Sequence, residues 1–208
     1  REPAVDLFFT TLYDWADTQT ARFAAHGSTW ASLMWRLPSI EHKEAPMEFG
    51  LFMMPVHYPG KGLQRTLKED MDTVVLADQL GFHEAWIGEH HTIPWENLTS
   101  PDLFIAQALV KTEQIKLGTG VVLLQIQDPK MLADRIALLD HMAQGRFYLG
   151  VGTGGVPTEF EYFNVPEDKR HARAAETIDA VLKIWEADGE YDYQGEFHQF
   201  KVPAPQMQ

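Results

Sequence analysis

No cysteine occurs among the 208 residues. That absence excludes disulfides, thiolate nucleophiles, cysteine-based zinc sites and iron–sulfur clusters, and leaves histidines, carboxylates and backbone groups to carry any chemistry. Basic residues are scarce: 17 Lys plus Arg stand against 30 Asp plus Glu, a net charge of −13 with no concentrated basic patch. Such a surface repels nucleic acid and anionic membrane. No apolar run approaches the roughly 18 residues of a membrane helix, and the N-terminus lacks the basic-then-apolar order of a signal peptide. The chain therefore reads as soluble and cytoplasmic, with neither nucleic acid nor membrane as partner. What is present is an ordinary globular balance, 45% hydrophobic and 23% charged, which excludes a disordered chain.

Residues 1–46 and 47–208 differ in character. The first segment holds Trp15, Trp30 and Trp35, a polar middle and Pro38 and Pro46 at its exit. It reads as an extension of unassigned origin, with a helix tolerable between Asp14 and Leu37. At Met47 a short apolar strand begins and runs to Pro55, as at the start of a domain. A helix is expected at about 66–80, with Leu67, Met71, Val74, Val75 and Leu80 as its apolar stripe and Gly81 as its stop. Strand 84–89 follows, and Ser100-Pro101-Asp102 opens a helix to about Thr112. Strand 115–124 leads to Asp128-Pro129, an N-cap with proline at the first helical position, and a helix to near Gly145. Strand 146–151, a glycine-rich turn and a helix over about 168–187 complete a fourth unit. The segment Tyr191–Phe200 reads as a hairpin turning at Gln194-Gly195.

Alternating strands and helices imply an α/β fold with a parallel sheet, either doubly wound or a (β/α)8 barrel. A whole barrel takes around 250 residues. The region from Met47 on covers about half of one, so the chain is expected to be truncated, with two open sheet edges that invite aggregation or dimerisation.

Ligands of parallel β/α folds bind at the carboxyl ends of strands, and there Gly88-Glu89-His90-His91 stands at the end of the second strand. If the extended conformation persists, His90 and His91 face opposite ways and only one lines the lumen. A metal is disfavoured, because two ligands from one strand converge at i, i+2 spacing; partly exposed loop histidines are the bland alternative. Gly150-Val-Gly152-Thr-Gly154-Gly155 matches G-x-G-x-x-G. The dinucleotide motif needs a helix opening directly on its last glycine, whereas here Pro157 follows and the next helix is expected more than ten residues on. What survives is a corner where a phosphate or planar ring could approach backbone N–H groups, or simply a permissive turn. Gly118-Thr119-Gly120-Val121 interrupts its strand and marks a bulge or close backbone approach. Arg170, His171 and Arg173 fall in the first turn of a helix, where the dipole disfavours cations, so a bound anion would rationalise them; solvated surface arginines are the alternative.

Taken together, Phe49-Gly-Leu-Phe, Leu80-Gly-Phe82, Ala85-Trp-Ile-Gly-Glu-His-His91, Ile115-Lys-Leu-Gly-Thr-Gly-Val121 and Leu139-Asp-His-Met-Ala-Gln-Gly-Arg-Phe147 resemble the bacterial luciferase-like flavin monooxygenases. With Trp95-Glu96 and Ser100-Pro101 they are most similar to the limonene and alkanal monooxygenase branch. The resemblance covers residues 47–205 and not residues 1–46. It implies a TIM-type (β/α)8 barrel, here about the first four β/α units. It also implies reduced FMN from a separate NAD(P)H:flavin oxidoreductase, and use of that FMN with O₂ to oxygenate a small organic substrate. His90 matches the family's catalytic histidine, an acid/base beside the flavin. Gly120-Val121 matches the place where members often have a non-prolyl cis peptide beneath the isoalloxazine. Gly152 and Thr153 match the glycine-rich corner near the flavin, with Thr153 where luciferase itself has arginine. Arg173 matches an arginine that contacts the flavin phosphate. Members commonly pair through barrel helices, which makes a homodimer an expected assembly. With the later strands absent, turnover by the half barrel alone is not expected. The rivals are a deazaflavin-dependent oxidoreductase of the same superfamily and a non-catalytic flavin-binding half barrel.

Overall fold

Four parallel strands in the order β1, β2, β3, β5 form the main sheet of a computed structural model that describes residues 47–203. The extension 1–46 and its expected helix lie outside the described residues. Strand β1 is Gly50–Met53, β2 Glu84–Ile87, β3 Lys116–Thr119 and β5 Phe147–Tyr148. The third strand breaks at Gly120-Val121 and resumes as β4, Val122–Leu123. The fourth breaks at Leu149-Gly150 and resumes as β6, Val151–Gly152, which pairs parallel with β4.

Helix α1 is Leu63–Gln79, α2 Pro101–Leu109, α3 Pro129–Ala143, α4 Pro157–Tyr162 and α5 Arg170–Glu186. Alternation assigns the two sheet faces. Met53, Ala85, Ile87 and Leu117 join Met71, Val74, Ile105, Leu132, Ile136 and Ile184 of the helices in one buried cluster. The other face carries Phe52, Trp86, Gly118 and Tyr148, with Phe52 62% exposed. The stripe of α1 runs through Met71, Val74 and Ala77; Leu80 lies one residue past its end as the C-cap and is exposed, against expectation.

Helix α3 starts as expected: the Asp128 carboxylate accepts from Lys130 N at 3.0 Å and Met131 N at 3.2 Å, with Pro129 at the first position. Its end uses Gln144 and Gly145 in left-handed conformation. Asp78 at the end of α1 accepts from the backbone of Glu113, Gln114 and Ile115 at 2.8–3.0 Å, fixing how the chain enters β3. Arg146 donates to the carbonyl oxygen of Leu109, the last residue of α2, and to Thr112 Oγ1 beyond it. The last two strands, β7 (Tyr191–Gln194) and β8 (Gln199–Val202), pair antiparallel as expected. Their turn is not the two-residue Gln194-Gly195 but a four-residue loop, 195–198. The Glu176 carboxylate shapes it by accepting from Glu196 N, Phe197 N and His198 N. Among the described residues no helix is long and apolar enough to cross a membrane.

Candidate active site

Strand β2 ends at Ile87, so the extended geometry that would set His90 and His91 on opposite faces does not persist. His90 N–H donates to Leu98 O at 3.0 Å. The ring of His90 then sits between two carboxylates, Nδ1 at 3.1 Å from Glu159 Oε1 and Nε2 at 3.0 Å from Glu96 Oε2. His91 donates its backbone N–H to the same Glu159 Oε1 at 2.7 Å and brings its Nε2 to Glu89 Oε1 at 2.8 Å. Glu89 Oε2 accepts from Leu123 N at 3.2 Å, tying the second strand's end to the third's. Both histidines are therefore engaged, and Glu159 joins them.

Glu159 comes from a helix that was not expected. Pro157 opens α4 only two residues after Gly155, because proline is suited to the first turn of a helix, where its missing N–H is unneeded. The helix is one short turn and a half, and what it brings to the site is the wholly buried side chain of Glu159 rather than a phosphate-binding end. Oε2 of that side chain has no hydrogen-bond partner.

The glycine corner lies where the third and fourth strands break. Gly120 N–H donates to Ile87 O at 2.7 Å, Val122 N–H to Gly150 O at 2.9 Å, and the Gly120–Val121 peptide bond is cis. Thr119 Oγ1 donates to Gly150 O at 2.7 Å and accepts from Gly150 N at 2.9 Å. A Cβ at Gly150 would lie 2.0 Å from Thr119 O, and one at Gly152 2.7 Å from Val121 Cγ2, so Gly120, Val121 and Gly152 meet in one place. Thr153 follows, partly buried. Beside it Gly154 has φ +61°, and a Cβ there would lie 3.1 Å from Gln125 Nε2. Gln125 is fully buried with neither amide atom partnered.

Helix α5 packs on the Leu124–Ile126 turn that carries Gln125. The three expected cations of its first turn separate here. Arg170 pairs with Glu167 at 3.2 Å and lies 5.3 Å over the Phe160 ring, and His171 is exposed beside it. Arg173 alone has a buried Nε without a partner. Its charge also reaches His198: burial first, and Arg173 second, hold that imidazole below its ordinary value. A cavity of about 270 Å³ is lined by Glu89, His91, Asp102, Val122, Arg135 and Phe163 among others. It touches none of His90, Gly120, Gly152 or Arg173.

The parallel β/α fold has counterparts among known proteins. The luciferase-like monooxygenase family model matches residues 47–208. The chain belongs to the luciferase-like monooxygenase family. Over 142 residues it is 39% identical to 4-hydroxyprotoasukamycin monooxygenase of Streptomyces nodosus subsp. asukaensis, covering 68% of this chain and 38% of that protein. Over 138 residues it is 34% identical to limonene 1,2-monooxygenase of Rhodococcus erythropolis, covering 66% and 36%. Among solved structures, the oxygenating constituent of 3,6-diketocamphane monooxygenase from Pseudomonas putida, in complex with FMN, superposes with a TM-score of 0.72. It is 30% identical over 76% of this chain and 44% of that one. The chain thus spans less than half the length of these relatives. Its α/β units are those of the family's TIM-type barrel.

Proposed function

We propose that the region from Met47 on is the flavin-facing part of a monooxygenase that uses reduced FMN and O₂ to oxygenate a small organic substrate of the limonene or alkanal kind. The reduced flavin comes from a separate NAD(P)H:flavin oxidoreductase, an assignment that rests on the family resemblance. The observation that carries the reading is His90, held from both ring nitrogens at the strand ends beside a glycine corner whose buried polar groups lack partners. The residues fit a flavin through their buried polar groups: Arg173 Nε, the Gln125 amide and Glu159 Oε2 are buried donors and acceptors without a partner in the chain.

On this reading Gly120, Val121, Gly152 and Thr153 would cradle the ring system and Arg173 the phosphate, a charge-assisted contact. Bound reduced flavin supplies the electrons with which O₂ is activated. The chain's own part is proton management. Glu159 accepts at Nδ1 and fixes the imidazole's orientation, and His90 gives or takes a proton at Nε2 as the positioned acid/base. The test is an anaerobic titration of the 208-residue chain with reduced FMN, run alongside size exclusion. Saturable binding that weakens in Arg173→Met supports the reading. Absence of binding by a folded chain, or preference for a deazaflavin over FMN, refutes it.

A further inference from the structure

Neither ring nitrogen of His90 is free, and ionised carboxylates only accept. The two carboxylates that face the ring are built differently. Glu159 is wholly buried, and its Oε1 also accepts the His91 N–H, so it is fixed from two sides. Glu96 stands on the irregular segment between β2 and α2, and its side chain is 18% exposed, as is that of His90. The backbone carries it there. Glu96 pairs with Val56 in an antiparallel bridge, and His57 N–H donates to Trp95 O at 2.7 Å. The ring of His57 is anchored in turn by Asp70 at 2.9 Å. The Glu96 carboxylate is therefore delivered to His90 Nε2 while keeping a face toward water.

Resting on the acid/base reading of His90, the geometry points to Glu96 as the residue that passes the His90 proton to and from solvent. The Nε2 proton moves to the Glu96 carboxylate, leaving a neutral imidazole and a carboxylic acid, and Glu96 then releases the proton to water. The reverse sequence reprotonates the ring. Glu159 has no exposed surface and cannot serve as this exit; it positions the imidazole. Glu96 acts through His90 and is a positioning and relay residue, not a catalytic one.

The relay is read without flavin, by NMR on the 208-residue chain labelled at histidine nitrogen, with the His90 ring signals assigned by their loss in His90→Gln. Glu96→Gln keeps the size and a hydrogen-bond acceptor but removes the base. It is expected to slow exchange of the His90 ring proton with water about a hundredfold or more, the range of a positioned acid/base. Glu96→Asp is expected to recover part of that rate. The His91 amide, held by Glu159, is the internal control and keeps its exchange rate. Unchanged ring exchange in Glu96→Gln overturns the inference, as does equal slowing in Glu96→Asp or slowing accompanied by loss of His91 amide protection. Since no flavin takes part, this result and that of the FMN titration can each fail alone.

Discussion

Removing the Asp78 carboxylate is expected to loosen the start of β3, the strand that leads into the glycine corner. Oδ1 accepts from Gln114 N and Ile115 N and Oδ2 from Glu113 N. In Asp78→Ala the exposed Glu113 and Gln114 can turn their N–H groups to water, at a net loss of about 1 kcal/mol each. Ile115 is fully buried, and its stranded N–H costs about 1–3 kcal/mol more. The sum is about 3–5 kcal/mol. Asp78→Asn keeps the two bonds to Oδ1 but can set an amide N–H against that of Glu113, so about 1–2 kcal/mol is expected.

The same group gives a pH signature. Burial works against the charged form, but the N–H donors of Ile115, Glu113 and Gln114, with Arg146 nearby, outweigh it and hold the carboxyl below its ordinary 3.8. A depressed carboxyl stabilises the fold fully above its unfolded value and ceases to do so as pH falls through the folded one. Urea denaturation at a series of pH values is the assay. The difference between wild type and Asp78→Asn should be flat from pH 7 to about 4 and shrink below that. A cost under about 1 kcal/mol for the alanine variant, or a difference that does not respond to acid, refutes the reasoning.

Gly150→Ala is expected to cost about 3 kcal/mol or more, because the added Cβ meets backbone rather than a movable side chain, whereas Gly155→Ala meets nothing within 4 Å and should be near neutral in the same denaturation assay. His198 is held below its ordinary value by burial and by Arg173, so Arg173→Met should move its NMR titration midpoint partway back up. Since a depressed histidine loses stability as pH falls below its unfolded value, the acid sensitivity of the fold between about pH 6.5 and the folded value should lessen in that variant. Gly118→Ala would drive a Cβ to 2.5 Å from the Trp86 ring, which stacks on Tyr148 at 5.7 Å. A destabilisation of about 1–3 kcal/mol is expected, largely relieved in a Trp86→Leu background; additivity of the two changes would disprove the contact.

The fold from Met47 on was legible because its signals are local. Asp128-Pro129 is an N-cap and first-turn pair two residues long, Gly81 and Gly145 close helices with positive φ, and the strand runs are short apolar stretches between turns. Each such signal is decided by residues within one turn of it. The misreadings have the same root. Pro157 after a glycine run reads as a breaker, yet with a carboxylate two residues on it is a helix start. Leu80 reads as the end of a stripe that the helix itself closes at Ala77, three residues before this exposed C-cap. Composition points to a hairpin turn at Gln194-Gly195, while the Glu176 carboxylate, nearly twenty residues earlier, sets a longer loop.

The site divides along the same line. His90 and the glycines were visible because they sit where a strand ends, a position that the sequence pattern marks. The two carboxylates that define His90 were not visible as such. Glu159 lies 69 residues away in a short helix that the glycine run disguises, and Glu96 lies in an irregular loop whose path is set by a bridge to Val56 and by the His57–Asp70 pair. No periodicity can reveal a partner held by backbone bonds to another loop. The buried amide of Gln125 is hidden for a related reason: in the sequence it reads as one polar residue closing an apolar strand. Only the packing of α5 and Gly154 around it turns it into an unpartnered buried group. Strand ends thus mark the candidate site, while long-range packing decides which ring nitrogen is held, which carboxylate is fixed and which one can still reach water.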